Sequence, residues 1–172
     1  EAVFTGIHPI QNYEIVNWFL GNESTANQTF NTTEQQVVIN FLEGGGKFFV
    51  SGSEIGYDLV QNGTTASKDF YANYLKATYI KDAAGGQGGV YSAIPTSEGI
   101  FNGLSQFSFD DGTHGTFNVA WPDGILPFGG SKLSLEYVNI NPQINGGAGI
   151  EYSGTFGQSS NEGKLVHLAI PF

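Results

Sequence analysis

Residues 47–56 constrain the fold of this chain more than any other stretch. They open with aromatic and β-branched residues, which is typical of a short buried strand. Gly52 and Gly56 then bracket a sharp turn that presents Ser53 and Glu54, because glycine permits positive φ or a close approach of two backbones. In open α/β sheets, ligands gather where strands end, so we expect function to reside at this turn.

The preceding residues predict a strand, a helix and a return to that strand. Residues 13–20 alternate and end apolar, as a buried strand does. A helix should follow, capped by Asn31, Thr32 or Thr33, with Gln35 or Gln36 completing a capping box. Three consecutive glycines at 44–46 end it. This order is that of a right-handed crossover unit in a parallel sheet.

The rest of the chain predicts further α and β elements. Residues 1–4 read as a helix end, Ser67 is expected to cap a second helix, and 77–80 form a strand. Shorter strands follow residue 82, with stronger ones at 133–140, 148–152 and 165–170. The predicted fold is a single α/β domain over residues 1–172, a three-layer sandwich with a mainly parallel sheet.

Composition excludes several classes of function. The chain has 172 residues, 40% of them hydrophobic, which suits one domain with its own core. Its formal net charge of −10 disfavours nucleic acid and anionic membranes as partners, since both need a basic footprint. No run approaches transmembrane length, so membrane insertion is not expected. The absence of Cys excludes disulfides, thiolate metal sites and a cysteine nucleophile.

Other features indicate an exported protein. The chain begins at Glu1 without Met and is expected to be a processed or excised piece of a larger secreted protein. Four Asn-x-Ser/Thr sequons predict surface glycans and an extracellular or cell-surface location. Compositional bias toward Asn, Ser and Thr is the alternative explanation. The sequon residues are Asn22, Asn27, Asn31 and Asn62.

Several motifs together resemble one bacterial domain. They are Trp18 to Thr25, Glu34-Gln35, Gly44 to Gly46, Phe49 to Leu59, Phe70-Tyr71, Tyr74-Leu75, Pro122-Asp123 and Pro171-Phe172. The domain is found in secreted proteins beside N-acetylmuramoyl-L-alanine amidase, xanthan-lyase-like or golvesin-associated modules. It is similar to the class I glutamine amidotransferase-like, flavodoxin-like sandwiches, and the resemblance is strongest over residues 13–80.

The chain departs from that pattern in two ways. The resemblance implies a strand and helix upstream of residue 13, so the first strand is expected to be missing or supplied by a neighbouring module or an identical subunit. Class I amidotransferases also carry a Cys at the elbow and a His-x-Glu near the last strand. Here the elbow holds Ser53 and Glu54, and His167 is followed two residues later by Ala169. That catalytic machinery is absent.

The elbow leaves a hydrolase open as an alternative. A Gly-x-Ser-x-Gly elbow centred on Ser53 fails, because its flanking positions hold Ser51 and Ile55. Centred on Glu54, the glycine spacing fits but places a carboxylate at the nucleophile position. The structural alternative is that Ser53 and Glu54 cap the next helix. The histidines available as a base are His8, His114 and His167.

Two further sets of candidate residues complete the analysis. Asp110 and Asp111, beside Thr113 and His114, form an oxygen-rich turn that would suit Ca²⁺, although Asp-Gly is also an ordinary turn signal. No other cofactor is expected. A ligand or glycan would contact carboxylates and aromatic rings close to the elbow. These ligand candidates are Glu54, Tyr57, Asp58 and Trp121.

The leading prediction is a non-catalytic extracellular domain, structural, adhesive or accessory. It would act by self-assembly or by association with surface glycans or partner modules. The alternative is a hydrolase of an ester, amide or glycosidic bond in a cell-wall or polysaccharide substrate, with Glu54 or Ser53 central.

Overall fold

A computed structural model describes residues 8–172, which form nine β-strands, three α-helices and two short helical turns. The helix end expected at residues 1–4 lies outside this described part. In chain order, the elements are β1 (Ile15–Gly21), α1 (Thr32–Glu43), β2 (Lys47–Gly52), α2 (Thr65–Asn73), β3 (Ala77–Lys81), β4 (Ser92–Pro95), β5 (Phe107–Ser108), β6 (Gly124–Pro127), β7 (Lys132–Tyr137), α3 (Pro142–Asn145), β8 (Gly149–Thr155) and β9 (Glu162–Leu168). A 3₁₀ turn covers Ile10–Asn12 and a π-helical turn Tyr57–Gln61.

Seven strands form one mixed sheet in the order β1-β2-β9-β8-β7-β4-β5. Only β1, β2 and β9 run parallel to one another. The other four strands are joined by antiparallel ladders, from β9 through β8, β7 and β4 to β5. β3 and β6 form a separate antiparallel pair. β1 lies at the edge of the main sheet, and no strand within residues 8–172 pairs with its outer side.

The predicted mainly parallel three-layer sandwich is therefore wrong. The strands form a mixed, curled half-barrel, and helix accounts for only 21% of the chain. The predicted crossover unit of β1, α1 and β2 is present, but it is not repeated: β3 leaves the main sheet and pairs with β6. From residue 132 onward the strands are joined by turns and one short helix, and such connections produce antiparallel ladders.

The helix starts follow local capping chemistry. Asn31 caps α1: its side chain accepts hydrogen bonds from the N–H groups of Thr33 and Glu34, and the Glu34 carboxylate accepts one from the Asn31 N–H. The expected capping box is present, with Glu34 rather than Gln35 or Gln36 as its acidic or amide partner. Thr64, not Ser67, caps α2, and its hydroxyl accepts a hydrogen bond from the Ser67 N–H.

The main hydrophobic core lies between the main sheet and the two longer helices. Val38 and Leu42 of α1 and Phe70 of α2 pack with inward side chains of the strands, including Phe48 and Val50 of β2. The alternating burial of β2 places these two side chains toward the helices. Because both helices lie on this side, we call it the helix face of the sheet.

The opposite side of the main sheet is covered unevenly. Over β7, β4 and the end of β9, a smaller cluster buries Leu135, Tyr137, Leu168 and Ile170. Over β1 and β2 the sheet is open, and Ile15 and Phe19 are each more than half exposed. Parallel strands are normally covered on both faces, so this exposure is unusual.

We call this open side the bare face and define it by its large apolar side chains. Phe19, Phe49 and Phe172 stack on one another, with ring centroids 5.4–6.0 Å apart. Phe172 also lines an apolar groove of about 450 Å³ with residues of the 96–107 segment. The bare face consists of Ile15, Phe19, Phe49, Ile100, Leu104, Phe107, Val166 and Phe172.

Candidate functional site

The elbow after β2 lies where the parallel strands end, as expected. Its backbone joins two other loops: the Ser53 N–H donates to the Gly21 carbonyl at the end of β1, at 3.3 Å, and the Ser53 carbonyl accepts from the Asp123 N–H at 2.8 Å. The Ala84 N–H in turn donates to the Pro122 carbonyl at 2.9 Å. Four chain segments therefore converge at this edge of the sheet.

Ser53 occupies a structural position within this junction. Its side chain is buried, and its hydroxyl donates only a long bond, 3.5 Å, to the Gly21 carbonyl. No histidine within residues 8–172 hydrogen-bonds to this hydroxyl; His167 Nδ1 instead faces the Leu75 carbonyl at 3.2 Å. The geometry therefore provides no activated serine nucleophile.

The two elbow glycines are required for space and not for positive φ. Gly56 has φ −72°, which any residue adopts. A Cβ atom added there would lie 2.8 Å from Tyr71 Oη and 3.1 Å from Asp123 Oδ2, both too close. A Cβ at Gly52 would lie 2.9 Å from the Leu20 Cβ. Of the two reasons open from the sequence, close backbone approach is the one that applies.

Asp123 holds the elbow in place. Its Oδ2 accepts hydrogen bonds from the N–H groups of Gly56, at 2.6 Å, and Tyr57, at 3.1 Å. These groups open the π-helical turn, so a carboxylate from a distant loop supplies the cap that the sequence assigned to Ser53 and Glu54. Desolvation of this buried side chain raises the pKa of Asp123 well above its usual range, against the effect of the two N–H groups.

Two more carboxyl groups near the elbow share this behaviour. Glu54 is half-buried; desolvation raises its pKa, a hydrogen bond from Ser24 lowers it, and the charge of Asp82 raises it further. Desolvation also raises the pKa of Asp82, and its Oδ1 has no hydrogen-bond partner among residues 8–172. Glu54 and Asp82 in turn each raise the pKa of Asp123. The elbow therefore gathers three carboxyl groups that favour protonation.

Buried polar rings complete the surroundings of Asp123. Tyr71 is 1% exposed, and its hydroxyl has no hydrogen-bond partner within the described chain. The Tyr71 ring packs edge-on against His167, with centroids 5.5 Å apart. His167 is fully buried in β9, and desolvation lowers its pKa to about 4, so the imidazole is neutral at pH 7. The Tyr137 hydroxyl donates to the Asp123 carbonyl at 2.8 Å.

The predicted ligand residues divide between the rim and the scaffold. Trp121 is 41% exposed, two residues before Asp123, and Tyr57 is half-buried at the start of the π-helical turn. Asp58 has a structural role, since its Oδ2 accepts from the Thr29 N–H at 2.8 Å and the Thr29 hydroxyl at 2.7 Å. Glu54, Tyr57 and Trp121 therefore lie on segments that meet at Asp123, whereas Asp58 anchors the loop after β1.

The predicted calcium turn forms a self-contained hydrogen-bonded loop. Asp110 accepts from the N–H groups of Gly112, His114 and Thr116 and from the Thr116 hydroxyl, at 2.7–3.1 Å. These bonds lower the pKa of Asp110, most strongly through Thr116. Ligand atoms of Asp110, Asp111 and His114 lie within 4.8 Å of one another. The carboxylate lone pairs are largely used by the turn itself, so its conformation is explained without an ion.

The four sequon residues lie on loops at the helix side of the molecule. Asn22, Asn27 and Asn62 are exposed, while Asn31 is half-buried because its Oδ1 caps α1. Asn31 and Asn62 line the same polar groove of about 250 Å³. None of the four belongs to the bare face, so glycans at these positions would leave that face open.

The sequence did not reveal two members of the elbow cluster. Asp82 was read only as a point where composition changes, and Asp123 only as one of several acids without a place. Asp123 follows Trp121-Pro122, and a single acid beside Pro in a loop of hydroxyl- and amide-rich sequence carries no positional signal. Only the pairing of residue 123 with residues 53, 56 and 57 identifies its role.

Comparison with known proteins adds no relative. No protein-family model and no curated protein matches the sequence. Within residues 8–172, none of the helices is both long enough and apolar enough to span a bilayer.

Proposed function

We propose that this chain is a non-catalytic structural or accessory domain of an extracellular or cell-surface protein, and that it acts by assembly through its bare face. The observation that carries the proposal is the uncovered parallel part of the main sheet, with Phe19, Phe49 and Phe172 stacked in the open. A contiguous apolar patch of this kind marks an interaction surface in a folded protein. The partner is a neighbouring module or an identical subunit.

The elbow supports a scaffold more than a catalyst. Ser53 is buried and lacks a base, and Asp123 is occupied by the cap of the π-helical turn. The resemblance to secreted bacterial α/β domains and the sequons are consistent with this function and with an exported chain. The elbow then serves to join the loops that follow β1, β2 and β6's neighbouring segment, rather than to bind a reactant.

The proposal requires that the bare face contribute little to folding. We expect Phe19→Lys to change the free energy of unfolding by no more than about 1 kcal/mol, as exposed positions do. Binding of an apolar fluorescent dye should fall at the same time. Phe128→Lys is the matched control, since Phe128 is 44% exposed and lies outside the bare face. A loss of several kcal/mol in Phe19→Lys alone would assign the face to the core and overturn the proposal.

A hydrolase is the second candidate function, favoured by one observation. Glu54 is a half-buried carboxyl with a raised pKa at the carboxyl end of β2, as a general acid requires. Its substrate would be a cell-wall or polysaccharide bond, with Trp121 and Tyr57 as stacking surfaces. Turnover of acetylated sugars or muropeptides should then fall at least about 100-fold in Glu54→Gln. Absence of turnover in the wild type, or equal turnover in both proteins, would reject this candidate.

A further inference from the structure

We infer that the bare face is the interface of a homodimer, in which a second copy of this chain packs against it about a two-fold axis. This inference rests on the proposed function and names the partner. Three properties of the face support it: the area it exposes, the charges around it and its shape.

The exposed area is what a stable dimer needs. Six side chains of the bare face are between 37% (Phe107) and 84% (Phe172) exposed. At roughly 200 Å² for each side chain of this size when fully exposed, they present about 700 Å² of apolar surface. That exceeds the largest patch of an ordinary monomer and is close to the ~800 Å² that each partner buries in a standard interface.

The charges select this face over every other for self-association. The chain has six basic and sixteen acidic residues, so two copies repel each other. Lys47 and Lys164 are in register with Ile15 on neighbouring parallel strands and therefore point to the same side of the sheet as Ile15. Lys132 is in register with Glu151, which faces the same side as Val166. Half of the basic residues thus border the bare face.

The lysines have acidic neighbours on the same side, which makes the border self-complementary. Lys47 forms an ion pair with Glu14, and Glu151 accepts a hydrogen bond from the Ile100 N–H at 2.5 Å. A two-fold axis repeats this mixed border opposite itself, so that lysines and carboxylates of the two copies can pair. The rest of the molecule carries the other three basic residues and most of the acidic ones, and would repel.

The shape provides a receptor for side chains of the second copy. The apolar groove of about 450 Å³ beside Phe172 is lined by Phe101, Leu104, Leu135 and Leu168. It adjoins the exposed Phe19–Phe49–Phe172 stack through Phe172, which belongs to both. A protruding aromatic stack beside a groove is the arrangement that two identical surfaces need to interlock.

The first test is sedimentation of the whole chain over a range of concentrations. We expect a concentration-dependent dimer that strengthens with added salt, because salt screens the repulsion between two acidic copies. The double variant Ile15→Lys/Phe19→Lys should weaken dimerisation at least about 100-fold, since it places charges in an apolar interface. The control Ile144→Lys/Phe128→Lys makes the same chemical changes at exposed positions outside the face and should leave it unchanged.

The second test locates the interface directly. Because the chain has no Cys, Asn17→Cys introduces a single thiol between Ile15 and Phe19 on the bare face, and Asn73→Cys introduces one at the end of α2 on the opposite side. Nitroxide labels at residue 17 should give a well-defined and shorter inter-copy distance than labels at residue 73.

The outcomes separate this inference from the function on which it rests. A chain that stays monomeric at all concentrations, or a dimer that the face variants leave intact, overturns the homodimer. If the chain is monomeric and the face variants still fold with wild-type stability, the bare face remains a surface for a different protein module. If the face variants lose several kcal/mol of stability, both proposals fall.

Discussion

At the scale of single residues, the elbow depends on Asp123. Its carboxylate reaches from one loop to two backbone N–H groups of another, in a place where water cannot replace it. The raised pKa of Asp123 records the cost of burying the charge, and the two N–H groups reduce that cost. Residue type alone does not give this role; only the position of the carboxyl group in the folded chain does.

We predict that Asp123→Ala lowers the free energy of unfolding by about 2–4 kcal/mol, because it leaves the Gly56 and Tyr57 N–H groups without an acceptor. Asp123→Asn keeps an amide oxygen in the same place and removes the buried charge, so it should cost about 1 kcal/mol or less. Urea unfolding at pH 7 measures both. Equal losses in the two variants would show that the charge, and not the acceptor, matters.

His167 makes a separate prediction for pH dependence. Its pKa is about 4 in the folded protein and 6.5 as a model value, so the unfolded chain takes up the proton first. The stability that the neutral ring contributes is present above pH 6.5 and is lost as the pH falls toward 4. The raised pKa values of Asp123, Glu54 and Asp82 act in the opposite sense, since their protonated forms favour folding at low pH.

The variant His167→Gln isolates the histidine contribution, because Gln stays neutral and can still donate to the Leu75 carbonyl. We expect the difference in unfolding free energy between wild type and variant to shrink by up to about 3 kcal/mol between pH 6.5 and 4. A difference that does not change with pH would mean that His167 titrates normally in the folded protein.

At the scale of elements, α1 is defined by its capping box. Asn31 both caps this helix and belongs to a sequon, so its two roles can be separated by substitution. Asp at this position keeps the cap and favours the helix dipole, whereas Ala removes the cap. Both changes remove the sequon.

We predict that Asn31→Ala costs about 1 kcal/mol of stability and that Asn31→Asp costs almost nothing. Thermal or urea unfolding of the unglycosylated chain measures this. If Asp were as destabilising as Ala, the hydrogen bonds to Thr33 and Glu34 would not be the source of the effect. In chain secreted from a glycosylating host, both variants should lose one glycan by mass spectrometry if residue 31 is modified.

At the scale of the whole molecule, β9 joins the parallel and antiparallel parts of the main sheet. It is parallel to β2 on one side and antiparallel to β8 on the other, and its inward side chains Leu165 and His167 are fully buried. A strand from the end of the sequence therefore sits at the centre of the sheet. Contacts between residues far apart in sequence must form before the sheet is complete.

We predict that a chain ending at Asn161, without β9, shows no cooperative unfolding transition by circular dichroism. Removal of Phe172 alone is the control and should change stability by about 1 kcal/mol or less, because this residue is 84% exposed. A cooperative transition in the longer truncation would mean that the remaining strands form a stable sheet without their central member.

The sequence predicted the elements better than their arrangement. β1, α1, β2 and the late strands β7, β8 and β9 all correspond to predicted stretches, because periodicity and glycine positions act over a few residues. The mainly parallel sandwich was wrong because strand direction and order depend on connections. A strand such as β3 has the same local pattern whether it joins the main sheet or pairs with β6.

By itself, the sequence determined the strand and turn at residues 47–56, the capped helix before it, and the charge that opposes nucleic acid. These follow from local sterics, capping and composition. Only the tertiary structure decided that Asp123 holds the elbow, that Gly56 is needed for space, and that one face of the parallel strands stays open. Burial and hydrogen bonding between distant residues are properties of the folded chain, and no short pattern encodes them.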